Sequence, residues 1–262
     1  RSDTLFDLSV NVIRPIGRGL ELVFSAEGAA LVGSRSERPK LSPGGDGRGR
    51  VPTRIRQFGA LARLQLSAPD RGVGASMEMG AASGDGDALD GTDTAFRFDP
   101  GYRVGMILFE EVLARATAAT RRDLLAQGSD SPQSRIDAQA TGGSVSSTVY
   151  AAPLLRIEAC NGCFIGNLGG VVAFAPVGVS PPGPEASTGK NEGAVSSPPG
   201  SGLLGWEVNA GVALRVALPQ TAQFSIGTQY GVFRRGPALR QATGGVERDV
   251  IHKWRVLADI HW

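Results

Sequence analysis

The stretch "VIHKWRVLADIHW" at residues 250–262 decides the fold. Trp254, Val256, Ala258, Ile260 and Trp262 alternate with Lys253, Arg255, Asp259 and His261, and only Leu257 breaks the polar set. A period of two marks a β-strand with one apolar and one ionisable face. Such a strand lines a soluble sheet or separates lipid from water in a barrel wall, so the rest of the chain must decide.

The alternation recurs upstream. "LLGWEVNAGVALRVA" (203–217) sets Leu204, Trp206, Val208, Ala210, Val212, Leu214 and Val216 against Glu207, Asn209 and Arg215. "QFSIGTQYGVF" (223–233) sets Phe224, Ile226 and Tyr230 against Ser225, Gly227 and Gln229, and the two runs form a hairpin. "SSTVYAAPLLRIEA" (146–159) and "FIGNLGGVVAFAP" (164–176) flank Cys160-Asn161-Gly162-Cys163, where Asn-Gly favours a two-residue type I′ turn. "RIRQFGALARLQLSA" (54–68) and "VGASMEMGAA" (73–82) flank a Pro-Asp-Arg-Gly turn, and "LFDLSVNVI" (5–13) and "LELVFSAEGAALV" (20–32) flank residues 14–19. With the last strand these make nine candidates. Each can cross the roughly 9–11 residues that a tilted transmembrane strand needs.

Composition agrees with a packed, loop-rich β protein. The 262 residues are 41% hydrophobic and 20% charged, with 37 glycines and 16 prolines. A net charge of +2 leaves no basic footprint for nucleic acid. No run of about 18 apolar residues predicts a transmembrane helix, but a transmembrane strand escapes that test. The opening "RSDTLFDLSV" is not a charged-then-apolar leader, so a signal peptide is expected to be already removed or to lie upstream.

The connections carry the decision. Backwards from the last strand they run medium (236–247), short (217–221), long (177–202), short (159–163), very long (83–142), short (68–72), long (34–52) and short (14–19). Tight turns on one side and long loops on the other are what an up-and-down transmembrane barrel requires. A β-sandwich mixes loop lengths at both ends. We therefore expect residues 1–262 to form an all-β, antiparallel, up-and-down transmembrane barrel in the outer membrane of a Gram-negative bacterium. Residues 83–142 are its long extracellular loop. Outer-membrane lipid and lipopolysaccharide are its expected surroundings. Trp206, Tyr230, Trp254 and Trp262 are the expected aromatic girdle, with Trp262 resembling the terminal signal read by the barrel-insertion machinery.

Nine strands ending toward the periplasm would also begin downward, whereas bacterial single-chain barrels have even strand numbers. The expectation is that this is the C-terminal portion of a larger barrel, with an odd number of strands supplied from upstream or by another chain. A miscount by one strand is the alternative.

The very long loop holds a Gly/Asp cluster, "SGDGDALDG", followed by "FRFDPGYRVGMILFEEVL". Leu108, Val112, Ala116, Leu124 and Leu125 then fall near a 3.6 period, with Arg121 and Arg122 late in the run, predicting an amphipathic helix that folds into or over the barrel mouth. Together with the alternating strands and the terminal aromatic, these segments resemble the alginate-export-type family of outer-membrane barrels. The resemblance implies about eighteen strands and passage of solutes or polysaccharide.

Asp85, Asp87, Asp90 and Asp93 could coordinate Ca²⁺, although Leu89 occupies the fifth position of an EF-hand pattern and the same residues make turns. Otherwise no cofactor is expected. Cys160 and Cys163 lack the helix, histidine or further ligands of redox, haem or zinc motifs, which leaves a disulfide across a hairpin turn. His252 and His261 have no nucleophile and carboxylate at fixed spacing, so no catalysis is expected. The ionisable register collects Asp7, Glu21, Glu27, Glu78, Glu158, Glu207 and Asp259 against Arg63, Arg156, Arg215, Lys253 and Arg255 as lumen-lining residues. A balanced lumen argues against strongly anionic alginate. It suits a channel for small or weakly charged solutes or, alternatively, a plugged barrel anchoring an assembly.

Overall fold

The computed structural model describes residues 2–37, 51–85, 92–115, 117–118, 141–177, 202–217, 222–242 and 249–261. Ten strands form one sheet. They are β1 (Ser2–Gly17), β2 (Leu20–Glu37), β3 (Val51–Ala68), β4 (Val73–Ala82), β5 (Thr92–Asp93), β6 (Thr148–Ala159), β7 (Phe164–Ala175), β8 (Gly202–Ala217), β9 (Gln223–Arg235) and β10 (Val250–His261). The nine long strands lie antiparallel in chain order, and the two-residue β5 adds parallel to β3. All nine expected strands form, with β1 to β3 longer than the alternation alone indicated.

The short connections gather at one end of the sheet. Arg18 and Gly19 turn with φ of 54° and 71°. Gly72, at φ 62°, returns its N–H to the Pro69 carbonyl at 3.0 Å. Asn161 (φ 55°, ψ 41°) and Gly162 (φ 87°) occupy the two central positions of a type I′ turn, closed by Cys163 N–H on the Cys160 carbonyl at 3.2 Å. Cys160 also has a positive φ of 52°, so the connection between β6 and β7 is four residues rather than two, with Ala159 opposite Phe164.

The sheet is open: among the described residues β1 and β10 are each paired on one side only. They also run the same way, because eight antiparallel steps separate them. A closed barrel within this segment is therefore not what the structure displays, and its two outer strands carry unpaired edges.

Cross-strand pairs share a face, so one chain of pairs sorts the whole sheet. Arg63 opposes Glu78, Glu78 opposes Ala152, Gly80 opposes Tyr150, Tyr150 opposes Ala173, Val171 opposes Glu207, Glu207 opposes Phe233 and Gly231 opposes Lys253. This inner face carries the segment inserted between β4 and β6. The opposite face is apolar and bare; Leu8 is 71% exposed and Val256 73%. A water-soluble sheet usually buries such a face. No helix among the described residues is long and apolar enough to cross a membrane, which says nothing of a β-barrel.

The buried core lies between the inner face and the insertion. Val104, Met106–Phe109, Val112, Leu113 and Val145 pack on Tyr150, Val171, Ala173, Leu204 and Phe233, joined by Ala238 and Leu239 from the short helix α1 (Pro237–Ala242). Gly59 admits the insertion because a Cβ there would overlap the Phe96 ring. Gly59→Val is thus expected to destabilise by about 1–3 kcal/mol through overpacking, measured by chemical denaturation. An unchanged midpoint would mean that Phe96 is not seated on β3.

Candidate functional site

The inserted segment is built from two arms that zip together above the sheet. Phe98 N–H bonds the Val145 carbonyl at 3.0 Å, Ser146 Oγ donates to the Phe96 carbonyl at 2.8 Å, and Arg97 bridges Ser146. The root of the first arm is fixed by Ser83, whose Oγ donates to the Thr94 carbonyl at 2.6 Å and accepts Phe58 N–H at 3.0 Å. Phe96 then meets Phe98 edge to face, with ring centroids 5.9 Å apart, and Phe98 meets Tyr102 at a tilt, with centroids 5.7 Å apart.

The helix expected around Leu108 begins as a wide turn over Leu108–Leu113, where Val112 N–H reaches back five residues to the Ile107 carbonyl at 3.0 Å. That turn places Leu108, Phe109, Val112 and Leu113 together in the core and leaves Glu110 and Glu111 at its polar side. Ala116, Arg121, Arg122, Leu124 and Leu125 lie outside the described residues. Glu207, 1% exposed on β8, caps the turn. Its carboxylate accepts Met106, Ile107 and Leu108 N–H at 2.5, 2.9 and 3.0 Å and the Asn209 amide at 3.1 Å. Three orphan donors at a helical N-terminus meet a negative charge, which is the arrangement the peptide dipoles favour.

From β10, Lys253 Nζ donates to the Met106 carbonyl at 2.9 Å and lies 3.2 Å from Glu110 and 2.7 Å from Glu111. Arg255 pairs with Glu110 as well. On the other flank, Glu78 receives the Arg63 guanidinium, with its Nε at 2.9 Å, the Tyr102 hydroxyl and the Tyr150 hydroxyl at 2.9 Å, and the two hydroxyls are 3.1 Å apart. Burial, and then the bond to Glu78, pushes the Tyr102 phenol well above its ordinary range, so it stays a neutral donor.

The Lys253 hydrogen bond, opposed by partial burial, holds the Glu111 carboxyl below its usual range. A depressed folded pKa contributes stability that is complete above the unfolded value, about 4.3, and is lost as pH falls through the folded value. Attachment of the insertion should therefore loosen below about pH 4. Lys253→Met should loosen it at neutral pH by about 1–3 kcal/mol, since it strips the part-buried Met106 carbonyl of its donor and leaves Glu110 with Arg255 and Glu111 with Arg115 as their remaining cations. Limited proteolysis at Arg103 and Arg115 measures both effects; equal cleavage of parent and variant at pH 7 would dismiss the contact.

All twelve residues of the ionisable register lie on the inner face. The structure divides them. Arg63, Glu78, Glu207, Lys253 and Arg255 hold the insertion at the long-loop end. Asp7, Glu21 and Glu27 lie on β1 and β2, Arg156 pairs with Glu158 at 2.7 Å near the short turns, and Arg215 and Asp259 lie toward the same end. Glu110, Glu111, Tyr102 and Tyr150 were not among the expected site residues; the only signal was an acidic pair opening a helical run.

On the outer face Trp254 stacks obliquely on Tyr230, centroids 4.7 Å apart, and the Tyr230 hydroxyl is 2.7 Å from His252 Nδ1. Trp206 shares that face nearer the long-loop end. Trp262 lies outside the described residues. So do Asp87 and Asp90. Asp93 is buried and accepts the Gln57 amide at 2.9 Å and Ala95 N–H at 3.3 Å, and among the described residues no three acidic, histidine or cysteine side chains converge. Cys160 and Cys163, the pair expected as a disulfide, are free thiols at the ends of a turn in this structure, and the hydrogen bond with Cys160 raises the Cys163 thiol above its usual value.

Comparison with protein-family models and with curated proteins found no match to this chain.

Proposed function

We propose that this chain forms the wall of a Gram-negative outer-membrane β-barrel that passes small solutes or polysaccharide, with its pore narrowed by the insertion between β4 and β6. The observation that carries the reading is the segregation of the two faces. The outer one is bare and apolar between Arg54, Arg56 and Arg234 toward the long-loop end and Arg14 toward the short turns; the inner one holds the carboxylates, the remaining paired cations and the folded insertion. In hydrocarbon every edge N–H and C=O needs a partner. Closure therefore calls for further strands against β1 and β10, from the same polypeptide or another chain. The resemblance to alginate-export-type barrels supports about eighteen strands in all, while the balanced charges argue for neutral or weakly charged solutes.

A second reading has its own support. Five of the inner-face charges are engaged by the insertion, as a plugged, structural barrel anchoring an assembly would arrange them. Single-channel recording of the reconstituted protein separates the two: discrete conductance steps support the channel, and a silent but inserted barrel supports the anchor. Topology is tested on intact cells. Tags at residues 40, 130, 190 and 245 should be accessible together and a tag in the 159–163 turn should not; labelling of that turn from outside would defeat the proposed orientation.

A further inference from the structure

The outer face is not uniformly convex. A groove of about 570 Å³ crosses it from β1 to β7. Small side chains at one level of successive strands, Ala26 and Gly28, then Ala60 and Ala62, then Ala81 and Ala151, make its floor, and Met79 and Val149 stand among them as its larger members. Leu8 closes one end and Phe174 the other. Barrel walls curve inward along their strands at the waist, and removing side-chain bulk at that level deepens the hollow.

What stands above the groove names its occupant. The outer-face register of β3 reads Arg54, Arg56, Phe58, Ala60, Ala62, Leu64 and Leu66 from the long-loop end downward. Arg54 and Arg56 are exposed on that face beside Ser34 and Val32. Arg56 is four residues above Ala60, roughly 13 Å at the rise of a strand. Two guanidinium groups over an apolar trough match a phosphate head with acyl chains beneath it. The trough spans six strands, roughly 24 Å at the usual spacing, wider than the two chains of a phospholipid need. We infer that Arg54, Arg56 and this groove bind one phosphorylated, multiply acylated glucosamine lipid of the outer leaflet. The assignment rests on the orientation proposed above, which puts the arginines outside.

Native mass spectrometry of the full chain, extracted in detergent and offered purified bis-phosphorylated hexa-acyl lipid A, tests it. One lipid A should bind per chain where phosphatidylcholine does not. Arg54→Gln with Arg56→Gln should lower occupancy about tenfold, and Ala60→Phe with Ala62→Phe should do the same by filling the trough. Arg234→Gln, an outer-face arginine on β9, should bind like the parent. Lipid A occupancy at the parent's level in either double variant, equal binding of phosphatidylglycerol by the parent, or a second copy of the chain in place of lipid would each overturn the site. These leave the barrel reading intact; failure of the parent to enter bilayers as a heat-modifiable species would overturn both.

Discussion

Glu207→Ala is expected to free the insertion from the wall, at a cost of about 3–5 kcal/mol. The carboxylate is buried and holds three consecutive backbone donors and the Asn209 amide. Alanine leaves those N–H groups without acceptors in an apolar surround that includes Val171 and Leu204. Glu207→Gln should fall between, because its carbonyl can accept while its amide nitrogen faces donors. Denaturation curves give the magnitude. Under the channel reading, conductance should rise several-fold as the constriction opens while heat-modifiable mobility stays unchanged. If the alanine variant keeps the parent's conductance and proteolytic pattern, the insertion is held by its apolar contacts alone.

The other large effect concerns the outer face. Under the barrel reading, Val212→Arg should destabilise the membrane-inserted protein by about 2–4 kcal/mol, the cost of a cation near the bilayer midplane on the lipid side of a strand. Val212 is opposed by Gly166 and Thr228 on that face and is half exposed. Gly211→Arg, one residue away, points to the inner face. A Cβ there meets Gln229 Cγ at 3.0 Å, the stem of a flexible side chain that can swing aside, so the change should be tolerated. Reversible folding into lipid vesicles measures both. Equal damage at the two positions would mean that the outer face does not meet hydrocarbon.

Local alternation fixes one of these two positions and long-range packing the other. The Val212 register comes from alternation alone, because in an extended chain successive side chains must point to opposite faces. The Glu207 contact does not. Glu207 and Ile107 are 100 residues apart, and nothing local in "LLGWEVNAGVALRVA" distinguishes a glutamate facing water from one that caps a distant turn. The same holds for Lys253 and Glu110, separated by 143 positions.

By itself the sequence determined the nine long strands, their antiparallel order, the alternation of short turns with long connections and the face of the strand side chains, except at Leu204, which the register shift between β7 and β8 turns into the core. These follow from local backbone geometry and turn chemistry, as Asn161-Gly162 illustrates. Only the tertiary structure decided that the insertion lies on the inner face, that five inner charges hold it, and that β1 and β10 remain open edges. Packing and ionic pairing between segments far apart in the chain settle such matters, and no periodicity within a single strand encodes them.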